Sequence, residues 1–108
     1  MIDAKALAVM ESHAWLVNVA RGGHVVTDDL VATLRQERIG GAALDVTDPE
    51  PLPADHPLWR EPRCIITPHT ANTPAMAAPL LGARVAENVR RWIAGDALIG
   101  PVDVDAGY

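Results

Sequence analysis

Four side chains in this sequence can move a proton or hold an anion, and they recur at comparable places along it: Arg21, Asp45, Glu50 and His69. A histidine delivers or removes a proton near neutral pH. A carboxylate beside it favours the charged ring and fixes which nitrogen carries the proton. Glu50 stands between Pro49 and Pro51, which restrain its backbone and can hold its side chain in one direction. An arginine presents a planar fork of donors to a carboxylate and polarises a neighbouring carbonyl. Together these groups suit reduction of a carbonyl next to a carboxylate. Taken singly, each also has a plainer reading. Arg21 reads as a surface residue of a Gly-rich turn, Glu50 as a solvated loop residue, Asp45 as a turn or cap, and His69 as a hydrogen-bonded turn residue. Co-location separates the two readings, and it depends on the elements that carry the four.

Asp3 is placed to cap a short helix from Ala4 to about Glu11, with Leu7 and Met10 on one face. Trp15 to Val19 reads as a brief apolar strand of the kind buried on both faces in a parallel sheet. Arg21-Gly22-Gly23 turns the chain. Thr27 or Asp28 then caps a second helix to about Glu37, with Leu30, Val31 and Leu34 inward. Gly40-Gly41 stops that helix in the left-handed conformation that glycine accepts, and Ala42 to Val46 forms a second strand. The stretch from Thr47 to Arg63 holds five prolines and little periodicity. A loop of that length inside a compact domain is usually functional or disordered, and the prolines favour a stiff, ordered path pinned by Leu52, Leu58 and Trp59. Cys64 to Thr67 is the third strand. Asn72 or Thr73 caps the last helix, which carries Pro74 in its first turn and an apolar repeat from Leu80 to Ile93, and ends at Gly95. Pro79 implies an irregular turn or a kink. The tail from Asp96 to Tyr108 is placed no further than as a docking strand.

Alternation of helix and strand predicts an α/β fold: a partial, Rossmann-like, doubly wound parallel sheet of about three strands with flanking helices and a long C-terminal helix. A complete domain of that type carries more strands, so residues 1–108 read as a single partial domain, the second half of one. Ligands of open parallel sheets bind beyond the carboxyl ends of the strands. Arg21 follows the first strand, Asp45 ends the second with Glu50 just beyond, and His69 follows the third, so all four converge on one sheet edge.

Composition narrows the classes. Apolar residues make up 49% of the chain and charged residues 21%, as in a globular protein. No apolar run reaches the roughly eighteen residues of a membrane helix, and Met1 to Lys5 lacks the plan of a signal peptide. A lone cysteine, Cys64, excludes an internal disulfide framework and fits a reducing, cytoplasmic setting. With net charge −5 and no basic stripe, nucleic acid and anionic membranes are poor partners. His13, His24, His56 and His69 with Cys64 lack metal-ligand spacing, so no metal site is expected. Trp15, Trp59 and Trp92 read as core or interface anchors, and Cys64 as an inert core thiol.

The runs Asn18-Val19-Ala20-Arg21-Gly22-Gly23, Ala43-Leu44-Asp45-Val46 with Glu50-Pro51 beyond it, and Thr67-Pro68-His69-Thr70-Ala71 resemble the C-terminal part of the nucleotide-binding domain of D-isomer-specific 2-hydroxyacid dehydrogenases. That group includes phosphoglycerate, glycerate and hydroxypyruvate-type reductases. The resemblance spans about residues 2–95. It implies NAD(H) or NADP(H) as cofactor and a small 2-keto or 2-hydroxy acid as substrate. Arg21 then looks like the substrate-binding arginine, His69 like the general acid, and Glu50 like the acid paired with it. Asp45 looks like the residue near the nicotinamide carboxamide, while Val19, Ala20 and Arg21, with His69, Thr70, Ala71 and Asn72, are similar to stretches lining the cofactor. Members commonly carry glycines after the histidine, where this chain has Ala71 and Asn72. By the resemblance, the Gly-rich phosphate-binding turn of such enzymes should precede Met1, and the substrate domain is likewise expected to lie outside these residues. The chain is therefore expected to be truncated and weak or inactive alone. The alternative is a non-catalytic fragment that self-associates or pairs with a missing half through Val85, Val89 and Trp92.

Overall fold

The structure is a computed structural model and describes residues 1–105. It divides into two compact units, Met1–Ala71 and a second from Asn72 onward.

The first unit opens with α1 (Ala4–Ala8), shorter than the sequence predicts. Asp3 caps it as expected, its carboxylate accepting from the amides of Lys5 and Ala6. Three parallel strands follow in the spatial order β1 (Trp15–Asn18), β2 (Gly41–Leu44), β3 (Cys64–Ile66). Between β1 and β2 the chain crosses over through α2 (Thr27–Arg35). Neither Thr27 nor Asp28 caps α2: the cap position is Val26, without a side-chain bond. The Thr27 hydroxyl instead donates to the Asp48 carbonyl at 2.6 Å, tying α2 to the loop after β2. Nor do Gly40 and Gly41 supply a left-handed stop. The residue with positive φ after α2 is Glu37 (φ 55), and Gly40 is needed for space, since a Cβ there would lie 2.6 Å from the His13 carbonyl oxygen.

Strand alternation sets the two faces of the sheet. Ala42 and Leu44 point to one face, where Leu7, Leu30, Leu34 and Ile39 close over them, with Leu16, Cys64 and Ile66 at the margin. Val17, Ala43 and Ile65 align in register on the opposite face. Val17 is 62% exposed and Ile65 55% exposed, so burial of β1 on both faces does not hold. The reason is that α1 and α2 contribute to the same cluster and thus cover one face only. The tryptophans are likewise not core residues: Trp15 and Trp59 are about half exposed and Trp92 more so.

The proline-rich stretch is ordered, as expected. Leu52 and Leu58 are buried and pin it to the core, and it contains a 3₁₀ turn at Pro57–Arg60. Trp59, expected to pin the loop to the body, instead ties the loop to itself, its Nε1–H donating to the Pro53 carbonyl at 2.8 Å.

The second unit is built on α3 (Pro74–Ala94), capped by Thr73, carrying Pro74 in its first turn and closed by Gly95 with φ 75. The helix continues through Pro79. No strand occurs in the tail among the described residues. Instead the Asn88 side-chain amide brackets the Ile99 peptide, accepting from its N–H at 2.8 Å and donating to its carbonyl at 3.2 Å. Residues 106–108 of the tail lie outside the described residues.

Candidate active site

His69 ends the first unit's chemistry-bearing loop. Its backbone is left-handed, with φ 55. For a residue bearing a Cβ that conformation costs roughly 1–2 kcal/mol, and histidine is among the residue types that tolerate it. The Asp45 carboxylate offsets the cost from both sides of His69. Its Oδ1 accepts from the Thr67 hydroxyl at 2.6 Å and the Thr70 amide at 2.9 Å, and its Oδ2 from the Ala71 amide at 2.8 Å. Asp45 is 5% exposed. The Thr67 hydroxyl, then the amides of Ala71 and Thr70, hold its carboxyl below the usual value against the opposing effect of burial. It stays an anion because donors surround it.

Nδ1 of His69 lies 2.6 Å from Glu50 Oε1. An ionised carboxylate only accepts, so Nδ1 carries the proton in this pair and Nε2 is left for a third group. Both side chains are nearly half exposed, so a solute can reach them. Glu50 is presented by a bracketed loop. Thr47 Oγ1 donates to the Pro49 carbonyl at 2.9 Å, and Thr27 holds Asp48. The Asp48–Pro49 and Glu50–Pro51 peptides are both cis.

Arg21 stands at the same sheet edge but contacts neither His69 nor Glu50. Its guanidinium donates to the Ala20 carbonyl at 2.7 Å. The turn carrying it is pressed on the loop after β2, for a Cβ on Gly22 would lie 2.0 Å from the Thr47 carbonyl oxygen. Asn18, which ends β1 and is 6% exposed, organises this turn: its Nδ2 donates to the Arg21 carbonyl at 2.9 Å and its Oδ1 accepts from the Ala20 amide at 3.1 Å. Asn18 is not among the site residues that the sequence points to. The available signal was a short polar residue at a strand end, where its side chain competes for nearby backbone groups.

Two hollows meet at Asp45, Thr67 and their neighbours. One, of about 250 Å³, is walled by Glu50, Pro51, Leu52, Trp59 and His69. The other, of about 240 Å³, is lined by the apolar Val17, Val19, Ala43 and Ile65 and by Thr70 and Ala71. Of the residues expected at a cofactor, Val19, Asp45, Thr70 and Ala71 therefore line one hollow. Ala20 lies in the Arg21 turn, and Asn72 opens the second unit. No group of metal-ligating side chains occurs among the described residues. Cys64 is half buried, and burial pushes its thiol up to about 11, which agrees with an inert role.

Comparison with known proteins identifies the family and the fold. The model of the D-isomer specific 2-hydroxyacid dehydrogenase NAD binding domain matches residues 1–71. The glyoxylate/hydroxypyruvate reductase A of Escherichia fergusonii is 40% identical over 108 residues, which are all of this chain and 34% of the reductase. Among solved structures, a D-isomer specific 2-hydroxyacid dehydrogenase from Xanthobacter autotrophicus Py2, in complex with NADPH and MES, superposes with a TM-score of 0.82 at 40% identity, covering 99% of this chain and 43% of that one. A probable 2-hydroxyacid dehydrogenase from Rhizobium etli CFN 42, in complex with NADP, HEPES and tartaric acid, gives 0.83 at 31% identity, covering 99% of this chain and 35% of that one. The chain spans about a third of the length of the curated relatives it matches.

Proposed function

The chain belongs to the D-isomer specific 2-hydroxyacid dehydrogenases, and we propose that it contributes the proton-transfer half of a site interconverting a small 2-keto acid and a D-2-hydroxy acid with NAD(H) or NADP(H). The observation that carries this reading is the 2.6 Å contact of His69 Nδ1 with Glu50 beyond the carboxyl ends of parallel strands.

A flat, largely apolar ring with a polar amide suits the hollow lined by Val17, Val19, Ala43 and Ile65 together with Asp45, Thr70 and Ala71. A nicotinamide held there supplies or accepts the hydride. His69 performs the proton step: Nε2 of the charged imidazole gives its proton to the carbonyl oxygen as the carbonyl carbon gains the hydride, and the ring returns to neutral. Glu50 holds Nδ1–H throughout, so only Nε2 exchanges a proton with substrate. Arg21 exchanges the Ala20 carbonyl for the substrate carboxylate, a charge-assisted and stronger acceptor. The reverse direction uses the same groups, with neutral His69 as base.

We propose that the chain is the C-terminal half of a dinucleotide-binding domain, a reading supported by its three parallel strands with Arg21, Glu50 and His69 after them. The test follows NADH oxidation with glyoxylate or hydroxypyruvate, comparing the chain with His69→Ala. Weak turnover that falls further in His69→Ala is the expected result; equal turnover in both proteins overturns the assignment.

A second reading is favoured by the second unit. Leu81, Val85, Val89 and Trp92 recur at helical spacing on α3 and are each more than half exposed. Such a stripe suits self-association or pairing with another segment. Tryptophan fluorescence during NADH titration separates the two: a saturable response favours the enzyme site, and no response favours an interaction module. A monomer at high concentration in sedimentation counts against self-association.

A further inference from the structure

We infer that Asn18 is a positioning residue that fixes the backbone from which Arg21 projects. The inference rests on the reading of Arg21 as the holder of a substrate carboxylate. Three successive peptide groups make up this turn, and each has a side-chain partner. The Ala20 N–H donates to Asn18 Oδ1, the Ala20 carbonyl accepts from the Arg21 guanidinium, and the Arg21 carbonyl accepts from Asn18 Nδ2. The Arg21 carbonyl also accepts from the His24 amide at 3.1 Å, which starts the 3₁₀ turn at Gly22–His24. Downstream the turn cannot shift, because Gly22 abuts Thr47. Upstream the Asn18 carbonyl accepts from the Asp45 amide at 2.9 Å, so the clamp is anchored in the sheet beside the residue that organises His69.

The consequence is a division of labour within one arginine. Its backbone, extended at φ −144 and ψ 141, is held by Asn18, while its guanidinium rests on a neutral carbonyl. A substrate carboxylate can draw the guanidinium away with no change in the turn, because the two bonds from Asn18 do not involve the guanidinium. Keeping the loop ordered before binding lowers the entropy lost on binding.

Amide hydrogen exchange on the ligand-free chain tests the clamp directly. In Asn18→Ala the Ala20 amide should exchange about tenfold faster, with the Leu30 and Leu34 amides of the core unchanged. Asn18→Ser restores an acceptor of the same kind and should be intermediate; it also carries the test if Asn18→Ala fails to fold. Unaltered Ala20 exchange in either folded variant overturns the inference. In steady-state reduction of glyoxylate, Asn18→Ala should raise KM about tenfold with little change in kcat, and Asn18→Ser should recover part of it. General destabilisation would instead lower kcat at constant KM, and that pattern also overturns the inference. A wild-type chain without turnover leaves KM unreadable, and Ala20 exchange then decides the role of Asn18.

Discussion

His69 and Glu50 are nineteen residues apart in the chain, yet Nδ1 of one lies 2.6 Å from Oε1 of the other. The contact joins two loops that leave neighbouring strands, β2 and β3, at the same end. It orders a ring whose other nitrogen remains available.

The first prediction concerns that pair. His69→Ala should lower kcat by roughly 10²- to 10⁴-fold, the usual worth of a general acid. Glu50→Gln keeps an oxygen for Nδ1–H but loses the charge, so a smaller loss of about tenfold is expected. NADH oxidation at saturating keto acid measures both. Nitrogen-15 shifts of the ring should report an Nδ1–H tautomer in neutral His69 and a mixture in Glu50→Gln. A wild-type mixture would sink the assignment of roles within the pair.

Acid stability should depend on Asp45. Its carboxyl is held below its ordinary value of 3.8 in the folded chain, chiefly by the Thr67 hydroxyl. A depressed folded value means that the stabilisation is fully present above the ordinary value and fades as pH falls through the folded one. Asp45→Asn should therefore be less stable than wild type at pH 6, and the gap should narrow below about pH 4. Urea titrations followed by circular dichroism at several pH values measure the gap. A gap that does not change with pH would show that the carboxylate charge is not what matters.

Gly22 should tolerate no side chain. A Cβ 2.0 Å from the Thr47 carbonyl oxygen forces the Arg21 turn off the loop after β2. Gly22→Ala should cost about 1–3 kcal/mol in urea unfolding. It should also raise KM for the keto acid, because Arg21 moves with the turn. Gly23→Ala is the control, since its added Cβ would meet an Asp48 carboxylate oxygen at an ordinary 3.8 Å.

Much of the local structure was legible. Asp3 and Thr73 cap their helices through bonds made within three residues, so residue type and position suffice to find them. The ends of α1 and α2 were not. Glu37, not a glycine, takes the left-handed position after α2, and Thr27 turns away from capping because Asp48 offers its carbonyl from another loop. A partner twenty-one residues away competes with the local one, and nothing near Thr27 announces it.

The reactive residue types, their order and their places after successive strands were determined by the sequence alone. So was the parallel α/β arrangement, because periodicity and capping act over a few residues and are written in them. Tertiary structure decided the rest: that α1 and α2 cover one face of the sheet, that Glu50 meets His69, that Asp45 spans the turn around His69, and that Asn18 organises the turn of Arg21. The physical reason is strand register. Pairing of β1 with β2 and β2 with β3 brings residues 18, 45 and 67 to one sheet edge, and hydrogen bonds across it cannot be specified by any stretch read by itself.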